Sequence, residues 1–114
     1  MKNFPSVKKN NDFRKAYKEG RKSVSRYFVM YVIENGLDIS RIGISASRKY
    51  GNSVERHYFQ RRLREIFRHY RDVTKAGYDM IIVARNEARQ ASFSSLSEEY
   101  ERLLKGHNIF LGSK

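Results

Sequence analysis

The chain has 114 residues, enough for one domain with a modest core and too few for two. Its 24 Lys and Arg stand against 12 Asp and Glu, and a net charge of +12 is more than solubility alone requires. It points to a polyanionic partner, either nucleic acid or an acidic membrane surface. Cysteine is absent, which excludes disulfides, zinc knuckles and thiol catalysis. The N-terminal residues lack the apolar run of a secretory signal, and no window approaches the roughly 18 apolar residues of a membrane span. A cytoplasmic location is therefore expected. Eight Tyr and seven Phe leave aromatic side chains for work outside the core.

Taken in chain order, residues 1–9 around the sole proline, Pro5, read as a mobile basic arm. Asn10-Asn11-Asp12 then precede Phe13, Ala16 and Tyr17 at helical spacing, and Gly20 supplies a stop, so a short first helix is predicted. From Arg26 the run Tyr27-Phe28-Val29-Met30-Tyr31-Val32-Ile33 is dense in β-branched and aromatic residues, and Glu34-Asn35-Gly36 supplies a turn. Arg41 to Ser47 alternates apolar and small polar residues, and the two runs are predicted to pair as an antiparallel hairpin.

A second helix is predicted from Asn52 to about Tyr70, with Asn52 as cap and Glu55 completing a capping box. Tyr78 to Arg85 reads as another strand. A last helix runs from about Ser94 to Lys105, with Leu96, Tyr100, Leu103 and Leu104 inward, Gly106 as stop, and 107–114 as a C-terminal tail. The expected fold class is an α/β (α+β) sandwich, one domain over 1–114, with the helices on one face of a mixed sheet.

The second helix carries the strongest functional signal. Phe59, Leu63, Ile66, Phe67 and Tyr70 fall on one stripe, while His57, Arg61, Arg64 and Arg68 fall opposite. With Arg48, Lys49, Arg56, Arg62 and Arg71 there are eight Lys and Arg between positions 48 and 71, against Glu55 and Glu65 alone. Seven of the eight are Arg, the residue favoured for bidentate phosphate contacts and base stacking, whereas a merely solvated face is usually mixed with Lys and Glu. Phe13, Tyr17 and Tyr31, within reach of Lys8, Lys9 and Lys15, have the composition of a single-strand groove, although aromatics at this spacing more often pack inward as ordinary core. Phe28 and Val32, on the other strand face, are expected in the core.

The stretch Gly51-Asn52-Ser53-Val54-Glu55-Arg56-His57-Tyr58-Phe59-Gln60-Arg61-Arg62-Leu63-Arg64-Glu65 resembles the signature of the bacterial ribonuclease P protein family. The likeness extends to Lys8-Lys9-Asn10-Asn11-Asp12-Phe13, to Arg26-Tyr27-Phe28-Val29 and to Arg41 through Lys49. Arg56, Arg61 and Arg64 match the family pattern, which usually carries Asn, Arg and Lys where His57, Tyr58 and Gln60 stand here. The resemblance implies an αβββαβα fold with a mixed four-stranded sheet and a left-handed βαβ crossover, although the general rule favours right-handed crossovers.

It also implies a function: the protein subunit of an endoribonuclease whose catalysis and magnesium ions reside mainly in an RNA. Contacts to that catalytic RNA are expected from Arg48, Lys49, Asn52, Arg56, His57, Gln60, Arg61, Arg64 and Arg68. A cleft formed by Lys9, Phe13, Tyr17 and Tyr31, with Phe110 nearby, is expected to hold the 5′ leader of precursor tRNA. The implied partners are the catalytic RNA and precursor tRNA, with neither a membrane nor a further protein required.

No catalytic residue is expected in the chain itself. His57, His69 and His107 form no metal-binding spacing, and Glu98, Glu99 and Glu101 read as a solvated helix face. His57 reads as an RNA contact and His69 as a favourable partner of a helix end. Two other readings stay open: a ribosomal-protein-like RNA-binding module without a leader site, and peripheral membrane binding, for which a helix face free of core duty is missing.

Overall fold

A computed structural model describes residues 5–112. Three helices and four strands follow in the order α1 (Asn10–Glu19), β1 (Arg21–Val24), β2 (Phe28–Glu34), β3 (Arg41–Ser45), α2 (Ser53–Tyr70), β4 (Tyr78–Ala84) and α3 (Phe93–Gly106). The sheet is mixed, with strand order β1-β2-β4-β3.

β4 sits at the centre because Met80, Ile81 and Ile82 are all buried, so both of its faces need cover. It pairs antiparallel with β2 and parallel with β3. The expected hairpin of β2 with β3 therefore does not form. Gly36 does take the left-handed conformation of a turn (φ 72°), but Asn35 bonds to Gly77 and to Asp79, which carries the chain past the end of β4. The hairpin partner of β2 is β1, a polar four-residue strand without an apolar period to betray it. The intervening turn is held by Ser25, whose hydroxyl oxygen lies within hydrogen-bonding distance of the Tyr27 and Phe28 amides.

The helices do not share one face. Phe28, Met30 and Val32 of β2, with Ile42, Met80 and Ile82, pack under Phe59, Leu63, Ile66 and Phe67 of α2 and Leu96, Tyr100 and Leu104 of α3. The opposite parity of the same strands, Tyr31, Ile33, Ile81 and Val83, meets Ala16 and Phe13 of α1 together with Val7. Both parities of β2 and β4 are apolar, so both faces of the sheet must be covered, and α1 takes the second.

α2 starts as expected, with the Glu55 amide donating to Asn52 Oδ1 and the Asn52 amide donating to Glu55 Oε1, each at 2.9 Å. α3 begins one residue earlier than expected, capped by Ser92, and runs through Gly106; the left-handed residue that ends it is Asn108 (φ 61°).

Of the arm expected over 1–9, residues 1–4 lie outside the described residues. Pro5–Val7 run along the outer edge of β3, with Val7 N donating to Ile42 O at 2.9 Å and Ile42 N to Pro5 O at 3.1 Å, and Val7 is buried. The C-terminal tail is likewise docked as far as it is described: Lys75 N donates to Ile109 O, Leu111 N to Val73 O, and His107 Nε2 lies 2.9 Å from Ser23 Oγ. No helix among the described residues is long and apolar enough to cross a membrane.

Candidate nucleic-acid interface

On the α1 face, Phe13 and Tyr17 lie one helical turn apart with ring centroids 6.4 Å apart, and Tyr17 meets Tyr31 edge to face at 5.0 Å. A recess of about 530 Å³ opens beside them between α1 and β3, lined by Asn10, Phe13, Arg14, Tyr17, Ile44 and Ser45. A second, of about 310 Å³, shares Phe13 and Ile44 and reaches across Gly43 to Lys8, Gln60 and Arg64. Gly43 matters here because a Cβ would stand 2.8 Å from Phe13 Cζ and from Ile81 Cδ1, so its absence lets the Phe13 ring settle against the sheet.

Lys22 Nζ sits 5.9 Å from the Tyr31 centroid, and Lys9, the residue before α1, is exposed. Tyr17 is 41% exposed, while Phe13 and Tyr31 are half-buried. Burial raises the Tyr17 phenol pKa, a hydrogen bond with the Ser45 side chain opposes the shift, and Tyr31 adds to it. The floor of this cleft is thus apolar and aromatic, and its surroundings carry cations.

Arg41 ties α1 to this surface. Its guanidinium makes a bidentate pair with buried Asp79 at 2.8 and 2.7 Å and reaches Asp12 of α1 at 3.6 Å. Nothing in the sequence marks this contact, because its three members stand 29 or more positions apart on either side of Arg41.

On the other face of the molecule, α2 turns His57, Arg61 and Arg68 outward, with Gln60 and Arg64 half-buried toward the cleft. Arg48 and Lys49 are exposed in the turn before the helix. Arg68 pairs with Glu65 at 2.9 Å. Arg56 is half-buried with its Nε enclosed, and Asn52 spends its side-chain oxygen on the cap.

Arg62, one of the eight cations counted between positions 48 and 71, points inward. It is 8% exposed and donates to the carbonyls of Ala91 at 2.9 Å and Ala88 at 3.2 Å, holding the segment that leads into α3. Phe110 is also not where the resemblance puts it. It packs against the core under α2 and α3, 6.4 Å from the Tyr70 ring and 5.2 Å from Lys105 Nζ, on the opposite side of the sheet from Tyr17. The bridge between Phe110 and Thr74 fixes it there. The carboxylates of α3 are partly engaged, Glu99 by Arg102 and Glu101 by Tyr70 and Lys105.

A family model described as Ribonuclease P matches residues 1–108. The chain belongs to the ribonuclease P protein family. The Ribonuclease P protein component of Lachnoclostridium phytofermentans is 39% identical over 109 residues, spanning 96% of this chain and 94% of that protein. The structure of the Staphylococcus aureus RNase P protein superposes with a TM-score of 0.84 at 35% identity, covering 92% of this chain and 96% of that one. That of Thermotoga maritima gives 0.82 at 32% identity, covering 89% and 96%. Membership makes the chain a protein component of the ribonuclease P endoribonuclease, a tRNA-processing ribonucleoprotein.

Proposed function

We propose that this ribonuclease P protein grips two RNAs at once: the catalytic RNA through the outward face of α2, and the 5′ leader of precursor tRNA in the cleft between α1 and the sheet. The observation that supports this most is the continuity of the two surfaces. The aromatic recess at Phe13 and Tyr17 meets the α2 flank at Gln60 and Arg64, so a strand stacked in the cleft runs directly toward the arginine-bearing helix. Stacking on rings with cations along the backbone is how single strands are held. Arg61, Arg64 and their neighbours neutralise phosphates, and Lys8 and Lys9 accompany the leader.

Among the described residues no three His, Asp or Glu side chains gather as a metal site, and both surfaces are cationic. In this reading magnesium is held mainly by the RNA, and no step on this chain is routed through it. The protein raises substrate affinity and lowers the magnesium the RNA needs, acting in the cytoplasm without a further protein partner. The test is reconstitution. Adding the protein to a catalytic ribonuclease P RNA at low magnesium is expected to restore 5′ cleavage of precursor tRNA, and the protein alone is expected to cleave nothing. No stimulation would leave only an RNA-binding module without a leader site.

A further inference from the structure

The outward face of α2 is not purely cationic. Tyr58 and Phe93 are 54% and 45% exposed, and both line one recess of about 520 Å³ between α2 and the start of α3. His57, Arg61, Arg64 and Arg68 line it with them, as does one carboxylate, Glu65, which is paired with Arg68 at 2.9 Å and leaves the cations in excess. The Tyr58 ring is also backed by a fixed group: the Arg62 guanidinium lies 4.4 Å from its centroid and is itself anchored on the Ala88 and Ala91 carbonyls. Phe93 is the first residue of α3, placed by the Ser92 cap immediately after the segment that Arg62 holds.

Such a recess suits one kind of occupant. An apolar protein surface covering the rings would have to desolvate several arginines, at a heavy cost unless each found an anion. A nucleotide does both jobs, since its base has a π-face for a ring and its phosphate pairs with guanidinium. Paired bases in a helix keep their faces stacked on one another, so the segment must be unpaired.

We infer that this recess takes an unstacked base from a single-stranded loop or bulge of the RNA bound by α2, with Tyr58 and Phe93 as the stacking surface and Arg61 on an adjoining phosphate. The inference rests on the reading that α2 faces RNA, and adds to it a contact with a base.

Salt separates the two kinds of contact, because losing a phosphate contact changes the slope of log affinity against log salt, whereas losing a stack shifts the line without tilting it. The probe is the ribonuclease P RNA of the same organism, titrated over a salt series with the intact chain and its variants. Tyr58→Leu and Phe93→Leu are each expected to bind roughly five- to hundredfold more weakly at every salt concentration, with the parent slope. Tyr58→Phe keeps the ring and is expected to bind as the parent. The double variant Arg61→Ala, Arg64→Ala is expected to lower the slope by roughly 0.7 to 0.9 for each contact removed. If that slope does not change, the RNA-facing reading of α2 fails. If it falls while both leucine variants bind as the parent, the base site fails, as it would were the recess a protein-docking surface.

Discussion

Replacing Tyr17 by Leu isolates the leader cleft from the rest of the molecule. The side chain is 41% exposed and its principal ring contact is the edge-to-face pair with Tyr31 at 5.0 Å. Such a pair is worth about 0.5–1.5 kcal/mol beyond its area, and Leu is the better helix former of the two residues. The folding cost is therefore about 1 kcal/mol, a fall in Tm of about 3–5 °C for a chain of this size.

The binding cost is different in kind. A base that stacks on this ring loses about 1–3 kcal/mol on its removal, or roughly five- to hundredfold in affinity. The loss is confined to substrates that carry a leader. The assay is the ratio of precursor to mature tRNA affinity for the reconstituted holoenzyme, with assembly onto the catalytic RNA checked separately. Tyr17→Phe is expected to preserve the ratio, and because the Tyr17 phenol is raised above its ordinary range it stays neutral, leaving the ratio flat between about pH 6 and 9. Equal losses for both tRNAs, or a Tm drop beyond about 10 °C, would place the ring in the core and refute the cleft.

Arg62→Met keeps the apolar stem but removes two buried charged hydrogen bonds, partly offset by releasing an enclosed Nε without a partner, so a loss of about 2–4 kcal/mol is expected. Thermal melting should show it, while the salt slope for RNA binding, unlike that of the Arg61 and Arg64 variant, stays at the parent value. Gly43→Ala puts a Cβ against Phe13 and Ile81, and overpacking of about 1–3 kcal/mol together with a displaced Phe13 ring is expected to lower the precursor-to-mature ratio; a parent-like ratio would show that the ring does not need this seat. Burial and the nearby Arg21 charge depress the His107 pKa, so as pH falls below about 6.5 the unfolded chain takes up a proton that the folded chain resists. Stability is thus expected to decline from neutral pH downward until the folded pKa is reached, and the decline should be shallower in His107→Gln; identical pH profiles of Tm would show that His107 does not contribute.

What the sequence determined by itself is what depends on neighbours along the chain. The Asn52 and Glu55 box spans three residues, and the stripe of Phe59, Leu63, Ile66 and Phe67 follows from helical geometry alone, so the start of α2 and its buried side were both legible. The alternation in β2 likewise separated Tyr31 from Phe28 and Val32, and the structure places them on opposite faces of the sheet. The expected pairing of β2 with β3 was wrong because adjacency in sequence carries no account of a later strand that needs cover on both sides. β4 supplied that strand and took the place between them.

Arg61 and Arg62 differ by one position and by charge not at all. Helical spacing sets Arg62, three residues after Phe59 and four before Ile66, at the edge of the buried stripe, but that its charge can be held there is decided by the carbonyls of Ala88 and Ala91, 26 and 29 residues on. The same holds for α1, whose choice of face depends on which side α2 and α3 leave open, and for Phe110, which the backbone pairing with Thr74 carries to the far side of the sheet. The recess at Tyr58 and Phe93 likewise exists only once α2 and α3 pack together, since those two rings stand 35 positions apart in a sequence that marks neither as a pair. Local periodicity fixes which side of an element is apolar, but the partner that covers it is chosen by long-range packing, where the sequence pattern carries no address.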